Sequence, residues 1–147
     1  MLAVFDCQIA GISGDMLLSS LIDLGADRKK VIDVIMSCQN FVKGSRIVNV
    51  SFEDVTRSGF RATALNIKYD EKVHERKGIE VYGAVERCCD SLDLESKATA
   101  FALGSIKTLI EAESRVHGEK YSEVHLHEAS SIDTLVDIVG SAVAIQD

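Results

Sequence analysis

Apolar positions recur at helical spacing in five stretches of the chain and alternate in two. Leu2 to Phe5 is a short apolar run of strand length. Behind Asp6 and the loop Gly11-Ile12-Ser13-Gly14-Asp15 comes a helical stripe of Met16, Leu17, Leu18, Leu21, Ile22 and Leu24 that stops at Gly25. This predicts a strand, a glycine loop and a helix. Asp27 is placed to cap a second helix whose stripe is Val31, Ile32, Val34, Ile35 and Cys38. Alternation over Arg46–Val55 and again over Phe60–Tyr69, around Thr56-Arg57-Ser58-Gly59, predicts a hairpin closed by a four-residue turn.

Asp70 to Lys77 is strongly charged and is expected to be an exposed loop. Helices follow over Ile79–Cys88, over Glu95–His117 with Gly118 as the stop, and over Ser130–Gln146. The stretch from Tyr121 to His127 is extended or irregular. The resulting fold class is α/β, with a mixed α+β arrangement as the variant: a strand–Gly loop–helix start, a central hairpin and a helical C-terminal half. A single domain over residues 1–147 is expected.

Composition narrows the partners. The 147 residues include 16 Lys and Arg against 23 Asp and Glu, a net charge of −7, which disfavours nucleic acid and anionic membrane. An apolar share of 46% supports a packed core, and the absence of proline excludes Pro-rich linkers. No apolar run approaches the roughly 20 residues that span a bilayer, and the N-terminus lacks the basic start of a signal peptide. Cys7, Cys38, Cys88 and Cys89 show no C-x-x-C spacing. They read as reduced thiols of a cytoplasmic protein.

The densest group of ligand-type residues is His125-Leu126-His127-Glu128. In an extended segment the two imidazoles project from one side and can chelate a borderline metal such as nickel, zinc or copper. Glu128 is placed to ligate, to act as a base, or to orient a ligand. Asp133 and Asp137 are four apart and share one face of the final helix, the face opposite its apolar stripe. His117 makes a third histidine within eleven residues. H-x-H also occurs on ordinary solvated surface, and Asp133 has the ordinary role of an acid near a helix start.

The loop after Asp6 is the second candidate. Gly11, Ser13 and Gly14 would offer backbone N–H groups to a phosphate or carboxylate, and Asp6 lies where α/β folds place functional groups. Tight turning by the glycines and capping by Asp15 explain the same residues. The loop is neither a Walker A sequence nor G-x-G-x-x-G. Ser13 lacks the partners of a serine hydrolase. Arg57, Arg61, His74, Arg76 and Lys77 offer positive charge, with a solvated loop and strand edge as the plainer account.

The segments FDCQIAGISGDMLLSSLIDLGA and VHGEKYSEVHLHEASSIDTLVDIVGSAVAIQD together resemble the nickel-insertion proteins of lactate racemase cofactor maturation. That family opens with D-C before G-I-S-G-D-M and later carries V-H-G, then H-F-H-E-V-G-A-x-D-x-x-x-D-I-x-G. Here Leu126 stands for the usual Phe, Ala129-Ser130-Ser131 for V-G-A, and Gln8-Ile9-Ala10 for the commoner Phe-Ser. The middle of the chain, residues 40 to 90, matches loosely.

The resemblance implies the N-terminal part of a longer protein, cut after a helix. Such a protein inserts nickel(II) into pyridinium-3,5-bisthiocarboxylic acid mononucleotide to make a nickel-pincer cofactor. CTP, used with a divalent cation, and hexamer assembly would belong to a C-terminal domain with which this part associates. It implies His125, His127, Glu128, Asp133 and Asp137 as metal ligands and Glu128, Asp6 and Asp15 as catalytic carboxylates. Gly11, Ser13 and Gly14 would bind the substrate's phosphate. The fragment alone is expected to be inactive, and its own oligomeric state is open. Two other readings stay open: a metal-dependent hydrolase in which Glu128 activates a bound water, and a non-catalytic scaffold for the C-terminal domain.

Overall fold

A computed structural model describes residues 4–8 and 11–147, the side chain of Glu128 excepted. The element order is α1 (Gly14–Asp23), α2 (Arg28–Cys38), β1 (Ser45–Arg57), β2 (Phe60–Glu71), β3 (Arg76–Lys77), α3 (Gly78–Ser91), α4 (Ser96–His117), β4 (His125–Leu126), a single 3-10 turn (Glu128–Ser130) and α5 (Ile132–Gln146). The mixed α/β class stands. The expected strand Leu2–Phe5 lies half outside the described residues. Val4 and Phe5 are described, and they form no strand.

Helix α5 is the hub of the core. Ile132, Leu135, Val136, Val139 and Ala142 are fully buried, and α1, α2, α3 and α4 all pack on it. Its sequence is apolar nearly all round, as such a position requires. Leu18 of α1 lies so near that a Cβ on Gly140 would come within 2.9 Å of it. Helix α2 is capped as its sequence predicts: Asp27 Oδ1 accepts from the amides of Lys29 and Lys30, at 2.9 and 3.0 Å. Helix α4 ends in the left-handed Gly118, φ +67°.

The hairpin departs from expectation at its tip and near its base. Arg57 pairs with Phe60 and Thr56 with Arg61, so the connection is the two residues Ser58-Gly59, both at positive φ. Two left-handed residues match the strand twist, which is why the turn tightens from four residues to two. Near the base a bulge between Ile47 and Asn49 takes up one extra residue. Ile47 is odd-numbered whereas Val50 and Phe52 are even. The bulge restores a common face for them and turns Val48 out to solvent.

The charged stretch after β2 is not simply an exposed loop. Its end forms β3, which pairs antiparallel with β4: Arg76 opposite Leu126 and Lys77 opposite His125. Arg76 is 8% exposed. Its Nη2 donates to Glu71 Oε1 at 2.8 Å, to Lys43 O at 2.8 Å and to Ser45 Oγ at 3.1 Å, and its Nη1 donates to Ser130 O. The backbone N–H of Ile132 completes the knot by donating to Glu71 Oε2 at 3.2 Å. This side chain, read from sequence as a solvated cation, ties the hairpin base to the start of α5. No helix among the described residues is long and apolar enough to cross a membrane.

Candidate functional site

Packing α1 on α5 places three carboxylates together. Ser13 holds the N-cap position of α1 in extended backbone, yet its side chain makes no cap bond. Its Oγ donates instead to Asp15 Oδ1, which also accepts from the amide of Met16 at 2.9 Å. Asp15 is thus held by its own loop. Across from it, Gly14 meets Asp137. A Cβ on Gly14 would lie 2.2 Å from Asp137 Cγ and Oδ2, so any side chain there would displace the carboxylate.

Asp133 and Asp137 do share a face of α5, as their spacing predicts, but that face does not look into solvent. Both are half-buried. The face opposite the apolar stripe is partly covered because α1, α2, α3 and α4 all pack on α5. Burial, then the charge of Asp133, then that of Asp15, pushes the Asp137 carboxyl up to about 7. Asp133 is raised too, by burial and then by Asp15. Asp137 Oδ1 is buried and has no hydrogen-bond partner among the described residues. Two acids raised by burial and by neighbouring acids, with an orphaned carboxylate oxygen, form a site that favours a proton or a cation.

The histidines are arranged differently from the extended-segment expectation. Strand β4 ends at Leu126, and His127 has φ −92°, ψ −86°. Alternation therefore does not set its direction. The His127 ring lies edge-on to that of His117, with centroids 5.8 Å apart and planes at 64°. His117 Nε2 is 3.2 Å from Glu113. His125, paired with Lys77, faces Glu75 at 3.9 Å. Glu128 opens the 3-10 turn that links this segment to α5, while its side chain lies outside the described residues. Among the described residues, no three His, Cys, Asp or Glu side chains converge as a ready-made metal cage.

Asp6 is exposed and accepts from the amide of Gln8 at 3.0 Å, beside a groove shared with Cys7, Gly11 and Met16. Gly11 has φ +70° and donates its N–H to Cys7 O at 3.0 Å, so its backbone closes a turn. Cys38, Cys88 and Cys89 are buried and unbridged, and Cys7 is exposed.

Sequence reasoning missed the Gly14–Asp137 contact and the Glu71–Arg76 pair. The first had one available signal: a glycine at a helix start, where a loop turn alone does not demand one. The second had none, because the partners are scattered from Lys43 to Ile132.

A family model described as "Nickel insertion protein" matches residues 3–147. The chain is similar to the pyridinium-3,5-bisthiocarboxylic acid mononucleotide nickel insertion protein of Staphylococcus saprophyticus, 33% identical over 144 residues, covering 97% of this chain and 34% of that protein. Proteins of the same name from Clostridium kluyveri (32% identical, 96% of this chain, 36% of that one) and Akkermansia muciniphila (32%, 97% and 35%) are similar too. The chain spans about a third of the length of these relatives. No solved structure matches.

Proposed function

The chain belongs to the nickel insertion protein family, and from that premise we propose that it supplies the metal-handling part of an enzyme that inserts nickel into pyridinium-3,5-bisthiocarboxylic acid mononucleotide. The single observation that carries this reading is the Asp15–Asp133–Asp137 group with its unpartnered buried oxygen. Hard oxygen donors suit a transiently held nickel(II) ion, which must leave again.

In this reading His125 and His127 receive the ion with Glu128, and Asp133 and Asp137 complete its oxygen ligands. In the insertion, a ring C–H bond of the pyridinium breaks and a nickel–carbon bond forms, while the two thiocarboxylate sulfurs bind nickel. The released proton passes to a carboxylate, with Glu128, Asp15 and Asp6 the candidates. Gly11 donates its amide to Cys7 O and Gly14 makes room for Asp137, so this loop is read as shaping the carboxylate group. CTP with its divalent cation, and the docking of this part onto a C-terminal domain, belong to the remaining length of the whole protein.

Calorimetric titration of the chain with nickel(II) tests this. Saturable binding is expected, weakened at least tenfold in a His125→Ala, His127→Ala double variant and in Asp133→Asn, Asp137→Asn. Equal binding by wild type and both double variants would put the metal site elsewhere.

A further inference from the structure

We propose that a cavity beside the α5 start binds the monophosphate end of a pyridinium mononucleotide; this rests on the substrate reading above. The cavity is about 320 Å³ and lies between the segment Phe41–Lys43, α3 from Ile79 to Arg87, and Ser130-Ser131. That volume is at the small end of the ~300–1,000 Å³ typical of small-molecule sites.

Its charge is opposite to that of the molecule. The chain carries a net −7, yet Lys43, Arg76 and Arg87 all line this one cavity, against a single acid, Glu80. Arg76 is committed to Glu71 and forms the floor. Lys43 and Arg87 are exposed and make no ion pair with another described side chain. Their charge remains for an anionic ligand.

The walls are held before any ligand arrives. Arg76 Nη2 donates to the carbonyl of Lys43 and its Nη1 to that of Ser130, so one buried guanidinium fixes both sides of the cavity to each other. Such preorganisation lowers the ordering cost of binding. Ser130 Oγ is occupied, donating to His127 O at 2.7 Å. Ser131 makes no side-chain cap bond to α5, which leaves its hydroxyl for a phosphate oxygen. Phe41 and Ile79 supply apolar surface for a ribose or ring.

The first turn of α5 is common to both sites. Ser131 faces this cavity, and Asp133, two residues on, belongs to the carboxylate group. A zwitterionic mononucleotide matches that division: the phosphate is drawn to Lys43 and Arg87, and the pyridinium and its metal to the acids.

The probe is nicotinic acid mononucleotide, a pyridinium carboxylate with one phosphate, titrated into the 147-residue chain by calorimetry. Saturable binding is expected, weakened about tenfold by Lys43→Gln and by Arg87→Gln, tightened by Glu80→Gln, and about tenfold weaker for the riboside that lacks the phosphate. Thermal melts of these surface variants check that the fold is retained. No saturable binding, equal affinity of the two glutamine variants and wild type, or equal affinity for nucleotide and riboside would each overturn the proposal. The nickel titration separates the two readings. A chain that binds nickel but not the nucleotide loses this cavity and keeps the metal site; one that binds the nucleotide through Lys43 and Arg87 but not nickel does the reverse.

Discussion

Glu71 and the Asp133–Asp137 pair both lie by the start of α5, and they are treated in opposite ways. Glu71 is partly buried, and burial alone would raise its pKa. Hydrogen bonds from Arg76, Ser45 and the Ile132 amide, with the Arg76 charge, more than offset this and lower it. Asp133 and Asp137 are also withdrawn from water, but the charges nearest them are further acids, so both are raised. The difference separates an acid that fixes geometry from acids that cost stability unless a proton or a cation neutralises them.

The comparison breaks most visibly at Arg76. Replacing it with Met strands the Glu71 carboxylate, and stability should fall by about 3–5 kcal/mol, measured as the shift in urea midpoint. Glu71→Gln with Arg76→Met together should recover part of that loss. The next largest effect belongs to Gly14→Ala. Its Cβ needs the space of the Asp137 carboxylate, so a loss of about 1–3 kcal/mol is expected, with nickel binding weakened as well. If Gly14→Ala melts like wild type, the contact between α1 and α5 is looser than described.

The pH dependence sharpens the contrast, because the two sites carry opposite signs. For Asp137 the folded value, about 7, exceeds the unfolded one, so the folded state binds more protons between them. Its stabilising effect is present below the unfolded value and is lost as pH rises through 7. Asp137→Asn should therefore be more stable than wild type at pH 8, by about 1–2 kcal/mol after solvent screening, and equal to it in acid. Nickel should raise the wild-type melting temperature at pH 8 and leave that of Asp137→Asn less changed. For Glu71 the folded value is depressed. Its contribution is present above the ordinary carboxylate value and is lost as pH falls through the folded one. The smallest effect is expected for Lys77→Gln. Its 2.9 Å pair with Glu123 is solvent-exposed, and the urea midpoint should not move measurably.

The helices were legible because period and punctuation agree: Asp27 before α2, Gly118 after α4, and an apolar stripe in each. The pairing of Asp133 with Asp137 was legible from a spacing of four. Their burial was not, because it depends on which helix packs against that face, and local pattern carries no such information. The direction of His127 was hidden for a related reason. The strand stops one residue before it, and periodicity cannot place a boundary that closely. The bulge after Ile47 was present in the sequence as a parity conflict between Ile47 and Phe52, although alternation read loosely passes over it. The burial of Arg76 was wholly illegible, since a run of charge normally means solvent and only the folded partners reverse that.

The clasp at Arg76 also bears on the order of folding. Its guanidinium joins Lys43 and Ser130, 33 and 54 residues away, and Glu71 reaches 61 residues on to Ile132. The hairpin lies between Lys43 and Arg76, and α3 and α4 lie between Arg76 and Ser130. Closing so long a loop carries an ordering cost, so the clasp is expected to form after the rate-limiting step. The clasp therefore acts as a latch on a finished molecule: weakening it should quicken escape from the native state and leave the approach to that state nearly as fast as before.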